Sequence, residues 1–100
     1  PEEYLPRYCN NMRISSDTIK LITLVVRRLI NNKITTKKPQ SMAAGAIYFV
    51  IEKLNIPNIT RTEIAKHCET SEVTLNTCYK IFDEKKDILF KNVDLSKINI

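Results

Sequence analysis

Glycine is nearly missing from this chain of 100 residues: it occurs once, as Gly45. A Gly-rich phosphate loop needs a close backbone approach that side chains obstruct, so a nucleotide-cradling loop is excluded. Tryptophan is absent, histidine occurs once as His67, and cysteine three times, as Cys9, Cys68 and Cys78. An odd number of cysteines without C-x-x-C spacing speaks against a disulfide framework and for buried thiols in a reducing intracellular compartment. His67 and Cys68 are neighbours, and neighbours on a helix point apart, which makes a poor metal pair; no metal or other cofactor is expected. An enzyme is not expected either, because His67 is the one base near neutrality and only Glu63 is spaced to orient it. The longest apolar run extends from Met42 to Ile51, about half of the ~20 residues a membrane helix requires, so no membrane segment is expected. The length fits one domain, and a start at Pro1 rather than Met reads as a piece of something longer.

What the chain does have is positive charge, and it is unevenly placed. The formal net charge is +5. Residues 1–38 carry Arg7, Arg13, Lys20, Arg27, Arg28, Lys33, Lys37 and Lys38 against Glu2, Glu3 and Asp17, while bases and acids balance in residues 39–100. A basic part beside a neutral part suits a surface that meets a polyanion, most often nucleic acid. A solvated, solubilising face would look the same, and charge alone does not separate the two.

The periodicity is helical throughout, and no stretch alternates with period two for a useful length. Residues 2–11 predict a short first helix with Tyr4, Leu5, Tyr8 and Cys9 on one face and Pro6 inside it. Ser15-Ser16-Asp17 caps a second helix over about 16–32, whose apolar set is Ile19, Ile22, Val26, Leu29 and Ile30, widened by Leu21, Leu24 and Val25. Lys20 and Arg27 share its opposite side, with Arg28 beside them. Pro39 opens a third helix to about residue 54 that is apolar nearly all round, the pattern of a central rod in a bundle. Thr60-Arg-Thr-Glu63 is a capping box that starts a short fourth helix ending near His67. Ser71 caps a fifth helix to about Phe82, residues 83–90 fold back on the bundle, and 91–100 read as a tail.

The fourth and fifth helices, joined by Cys68-Glu69-Thr70, have helix-turn-helix spacing, with Ala65 small enough for a close crossing. Leu75, Cys78, Tyr79 and Phe82 form the buried stripe of the fifth helix. Val73, Asn76 and Lys80 fall on its other side, with Thr74 near them and Glu72 and Thr77 flanking. Such a face suits a major groove: valine can meet a thymine methyl, asparagine can pair with adenine, and lysine can meet phosphate. Two features run against it. Glu69 stands where glycine often takes the left-handed conformation, and Glu69 and Glu72 would repel phosphates.

Three segments then carry a resemblance. Pro39-Gln-Ser41-Met-Ala43-Ala44-Gly45-Ala46-Ile47-Tyr48, Thr60-Arg-Thr-Glu63-Ile64 and Val73-Thr74-Leu75-Asn76-Thr-Cys-Tyr79-Lys80 resemble the second cyclin-like repeat of the transcription initiation factor IIB family. Tyr4-Leu-Pro-Arg-Tyr8-Cys9-Asn is similar to the start of that repeat's first helix. The resemblance covers roughly residues 4–90 and implies an all-α, five-helix cyclin-like fold containing a helix-turn-helix. It implies a nuclear, monomeric module that binds promoter DNA with the TATA-binding protein and helps to position RNA polymerase. In the family the fifth helix reads base pairs upstream of the TATA element through a Val, matched by Val73, and an Arg, replaced here by Asn76. Arginine favours the acceptors of guanine and asparagine favours adenine. At the third helix the family's Arg-Ser-Pro becomes Lys37-Lys38-Pro39, which loses a capping hydroxyl but adds a cation beside a helix N-terminus.

Residues 73, 74 and 76 are therefore the expected groove contacts, and Arg27, Arg28, Lys37, Lys38 and Lys80 the expected phosphate contacts. A cyclin-like adaptor that docks proteins without touching DNA is the alternative reading of the same fold.

Overall fold

In a computed structural model that describes residues 2–33 and 38–98, the chain is all-helical, without a strand among the described residues. Among the described residues six α-helices follow one another: α1 (Leu5–Asn11), α2 (Ser16–Asn31), α3 (Pro39–Leu54), α4 (Arg61–His67), α5 (Glu72–Glu84) and α6 (Lys86–Leu89). The first five stand where the sequence pattern puts them. The first element is divided by Pro6: a 3-10 turn over Glu2–Tyr4 leads into α1, where proline fits the first turn because its missing N–H has no partner there anyway.

Side-chain caps start three of the helices. Ser15 accepts the N–H of Thr18 at 3.2 Å, Thr60 that of Glu63 at 3.1 Å, and Ser71 that of Thr74 at 3.1 Å. Lys38 precedes α3 and makes no side-chain cap bond, so Pro39 alone presets that start.

The helix ends show what the scarcity of glycine costs. Helices α1, α3 and α4 each close in a Schellman motif, with the bonds Ile14 N–H to Cys9 O, Ile56 N–H to Ile51 O and Thr70 N–H to Ala65 O. The left-handed position in these motifs is filled by Arg13, Asn55 and Glu69, with φ of 55°, 54° and 54°. Glycine would adopt that conformation freely, and only asparagine among the three comes close to it.

The sole glycine serves packing instead. Helix α3 is the rod of the bundle, buried from Met42 to Ile47 and again from Phe49 to Ile51, with α2, α4 and α5 against it. At Gly45 it crosses α5 so closely that a Cβ would meet the Cys78 Cβ at 2.5 Å and the Phe82 ring at 3.3 Å. Phe49 is the aromatic hub: it stacks on Phe90 with ring centroids 5.0 Å apart and on Phe82 at 5.7 Å. The Lys53 ammonium lies over the Phe49 and Tyr79 rings and pairs with Asp83 at 2.7 Å, tying α3 to the end of α5. That pairing lowers the Asp83 pKa and raises that of Lys53.

On α2 the expected stripe is buried through Leu21, Ile22, Val25, Val26 and Leu29, but Ile30 is 39% exposed and stands outside it. Residues 91–98 do more than trail. Leu89 is fully buried, and Val93, Leu95 and Ile98 pack partly on the core, Leu95–Lys97 forming a 3-10 turn. All three cysteines are buried, and burial pushes the thiols of Cys9 and Cys68 up to about 12.

Candidate nucleic-acid interface

The outward side of α5 is built by the opposition the sequence predicts. Leu75, Cys78 and Phe82 have no exposure at all, whereas Val73 is 76% exposed, the most open large apolar residue described. Asn76 is half-buried and Lys80 exposed on the same flank. Val73 thus offers a single exposed apolar group in the first turn of a capped helix, open to contact with another apolar group.

A polar cleft of about 460 Å³ opens at the N-terminal end of α5, lined by Lys38, Gln40, Ser41, Glu69, Thr70, Ser71 and Thr74. The starts of α3 and α5 both border it, so two helix N-termini and the Lys38 ammonium share one polar space. Among the expected residues, Lys38 and Thr74 are thus brought together. The Thr74 hydroxyl accepts a bond from Ser71 Oγ at 2.9 Å, and the Gln40 amide donates to the Cys68 carbonyl at 3.0 Å, which holds the α4–α5 turn against α3.

The two acids expected to repel phosphate are each matched by a base. Glu69, in its left-handed turn, lies 3.3 Å from Arg7 of α1. Glu72 accepts the Nε–H of Arg61 at 3.0 Å and the Thr62 hydroxyl at 3.4 Å. The α4–α5 corner is therefore less negative than its sequence suggests.

Other expected contacts are placed differently. Arg27 is exposed on α2 and does not border the cleft. Arg28 turns toward α6, where Nη1 donates to the carbonyls of Leu89 at 3.0 Å and Lys91 at 2.6 Å. It thereby caps the C-terminal end of α6, a structural task that the helical pattern of α2 gives no sign of. Lys37 lies outside the described residues. One residue that sequence reasoning passed over is Arg61, whose guanidinium also donates to the Asn76 Oδ1 at 3.4 Å. Its position just after the Thr60 cap, facing the start of α5 in a helix-turn-helix, is the signal that could have found it.

Among the described residues no group of three or more His, Cys, Asp or Glu side chains is gathered for a metal, and no helix is long and apolar enough to cross a membrane.

Known proteins give this surface a context. No family model matches the chain, and no solved structure matches it significantly. Curated proteins do. Transcription initiation factor IIB of Methanosphaerula palustris is 29% identical over 89 residues, which is 88% of this chain and 26% of that protein. Transcription initiation factor IIB 1 of Thermoplasma volcanium is 31% identical over 85 residues, covering 84% of this chain and 27% of that protein. The factor IIB of Archaeoglobus fulgidus is 29% identical over 88% of this chain. These relatives are transcription factors, not enzymes, and this chain spans about a quarter of their length. Most of this chain's own length is thus similar to one part of several transcription initiation factors IIB.

Proposed function

We propose that the chain acts in transcription initiation as the second cyclin-like repeat of a factor IIB, gripping promoter DNA beside the TATA-binding protein and helping to recruit RNA polymerase. The observation that carries this reading is the exposed Val73 in the capped first turn of α5, flanked by Asn76 and Lys80, in a chain similar to transcription initiation factors IIB. In this reading Val73, Thr74 and Asn76 face the groove. Lys38 at the polar cleft and Lys80 meet backbone phosphates, with Lys37 and Arg27 contributing charge around them. In a eukaryotic cell this work takes place in the nucleus.

Phosphate contacts make affinity fall with salt, the logarithm dropping about 0.9 per contact for each decade of salt. A gel shift of the full-length protein with TATA-binding protein and promoter DNA tests the assignment. Lys38→Glu with Lys80→Glu is expected to weaken the ternary complex and flatten its salt dependence. Unchanged affinity would transfer the same fold to the adaptor reading, in which the bundle docks proteins without touching DNA.

A further inference from the structure

We propose that Arg61 sets the base preference of the α5 face by holding the Asn76 amide with its NH2 group outward. The inference rests on the promoter-binding reading above and adds to it a residue on a different helix. Arg61 is the first residue of α4, and its guanidinium reaches across the turn to α5. Nε donates to Glu72 Oε1 at 3.0 Å, and Nη1 donates to Asn76 Oδ1 at 3.4 Å. Thr62 holds the same Glu72 oxygen from a second side at 3.4 Å. The guanidinium is thus held by Glu72 on one side and meets Asn76 on another, on a side chain that is still 46% exposed.

The chemistry follows from which end of the amide is engaged. Asparagine recognises adenine by accepting from N6–H with its oxygen while donating to N7 with its nitrogen. Here one lone pair of the oxygen already faces a guanidinium donor, so the edge left to a base is rich in donors: the Asn76 NH2 and the N–H groups of Arg61 not bound to Glu72 or Asn76 outnumber the oxygen's remaining lone pair. A donor-rich face complements guanine, whose major-groove edge shows the two acceptors N7 and O6. It opposes adenine, whose N6–H2 is itself a donor, and cytosine, whose N4–H2 is another. The adenine preference expected of Asn76 alone is thereby reversed by a neighbour from α4, with Arg61 acting as a positioning residue.

The test is binding-site selection on promoter fragments randomised upstream of the TATA element, using the full-length protein with TATA-binding protein. The wild-type protein is expected to enrich guanine at one position. Arg61→Ala frees the amide oxygen and is expected to shift the guanine-to-adenine ratio there about tenfold toward adenine. Arg61→Lys keeps the charge, and so the salt dependence, but cannot hold both Glu72 and Asn76, and is expected to shift preference in the same direction. Helix content and thermal midpoint, measured for both, report that the exposed substitutions leave the fold intact. Wild-type selection retained by both variants overturns the proposal while DNA binding stands. A shift that Arg61→Ala still produces in an Asn76→Ala background also overturns it, because the arginine then does not act through the amide. Failure of the wild-type protein to enter the DNA complex is the separate outcome that overturns the promoter reading itself, and this inference with it.

Discussion

Gly45 and Cys78 face each other across the α3–α5 crossing with no room for a second Cβ, since one built on the glycine would stand 2.5 Å from that of the cysteine. The chain's only glycine is therefore fixed by its neighbour's β-carbon rather than by backbone conformation. Gly45→Ala would gain about 1 kcal/mol in helix propensity. The overpacking works against it by roughly 1–3 kcal/mol, so a net loss of stability is expected. Cys78→Ala should not rescue it, because the clashing atom is the one alanine retains. Denaturant midpoints of the single and double variants check this, and a stabilised Gly45→Ala would show that the two helices can separate cheaply.

The Lys53–Asp83 pair makes stability depend on pH at the acid end. Asp83 is lowered from its ordinary value of 3.8 by the bond to Lys53, so the folded state binds fewer protons there than the unfolded chain. The contribution is fully present above that ordinary value and is lost as pH falls through the lower, folded one. Asp83→Asn is expected to destabilise the protein at pH 7 and to change little once the wild-type carboxylate is protonated. Thermal midpoints followed from pH 7 to the acid limit would reveal this; parallel curves would place the acid sensitivity elsewhere.

Arg28 joins α2 to the carbonyls of Leu89 and Lys91. Hydrogen bonds to a charged group contribute about 1.5–3 kcal/mol when buried, and partial exposure brings Arg28→Ala to roughly 1–2 kcal/mol. Arg28→Lys should lose part of the same stability, because both bonds come from Nη1 and the lysine ammonium ends one bond short of that position. The salt dependence of DNA binding is expected to stay unchanged in both. A phosphate contact would behave in the opposite way, tolerating lysine and flattening the salt slope.

Glu69 occupies the left-handed region at φ 54° in the α4–α5 turn. Glu69→Gly relieves conformational strain of about 1 kcal/mol or more. It also removes the exposed ion pair with Arg7, worth at most about 1 kcal/mol, and adds freedom to the unfolded chain. A small net gain in thermal midpoint is expected. Arg7→Ala, measured beside it, isolates the ion pair; a loss on Glu69→Gly larger than on Arg7→Ala would mean that the turn is not strained.

Much of the fold is legible in the sequence because its signals are local. The caps at Ser15, Thr60 and Ser71 act over three residues, and the apolar faces of α2, α3 and α5 repeat with the helical turn. The buried stripe of α5 and the open Val73 follow from that repeat alone. What stays hidden is chemistry between distant positions. Arg28 sits in a basic cluster that reads as a surface, yet its partners are 61 and 63 residues away. Glu69 and Glu72 read as repulsive until Arg7 and Arg61 are brought beside them, and periodicity holds no record of such pairings. Ile30 fits the stripe of α2 by spacing but lies next to the helix's last residue and is exposed.

The Arg28 clasp also bears on the order of events during synthesis. A ribosome releases α2 well before Leu89 and Lys91 emerge, and Phe90 arrives with them to cover Phe49. Until then the central rod has an unsealed flank and the guanidinium remains in water. The nascent bundle is thus a late-closing shell, completed by a contact of long sequence separation whose entropy of closure comes before its reward. On arrested nascent chains, resistance to protease is expected to rise sharply only after residues 89–91 clear the exit tunnel.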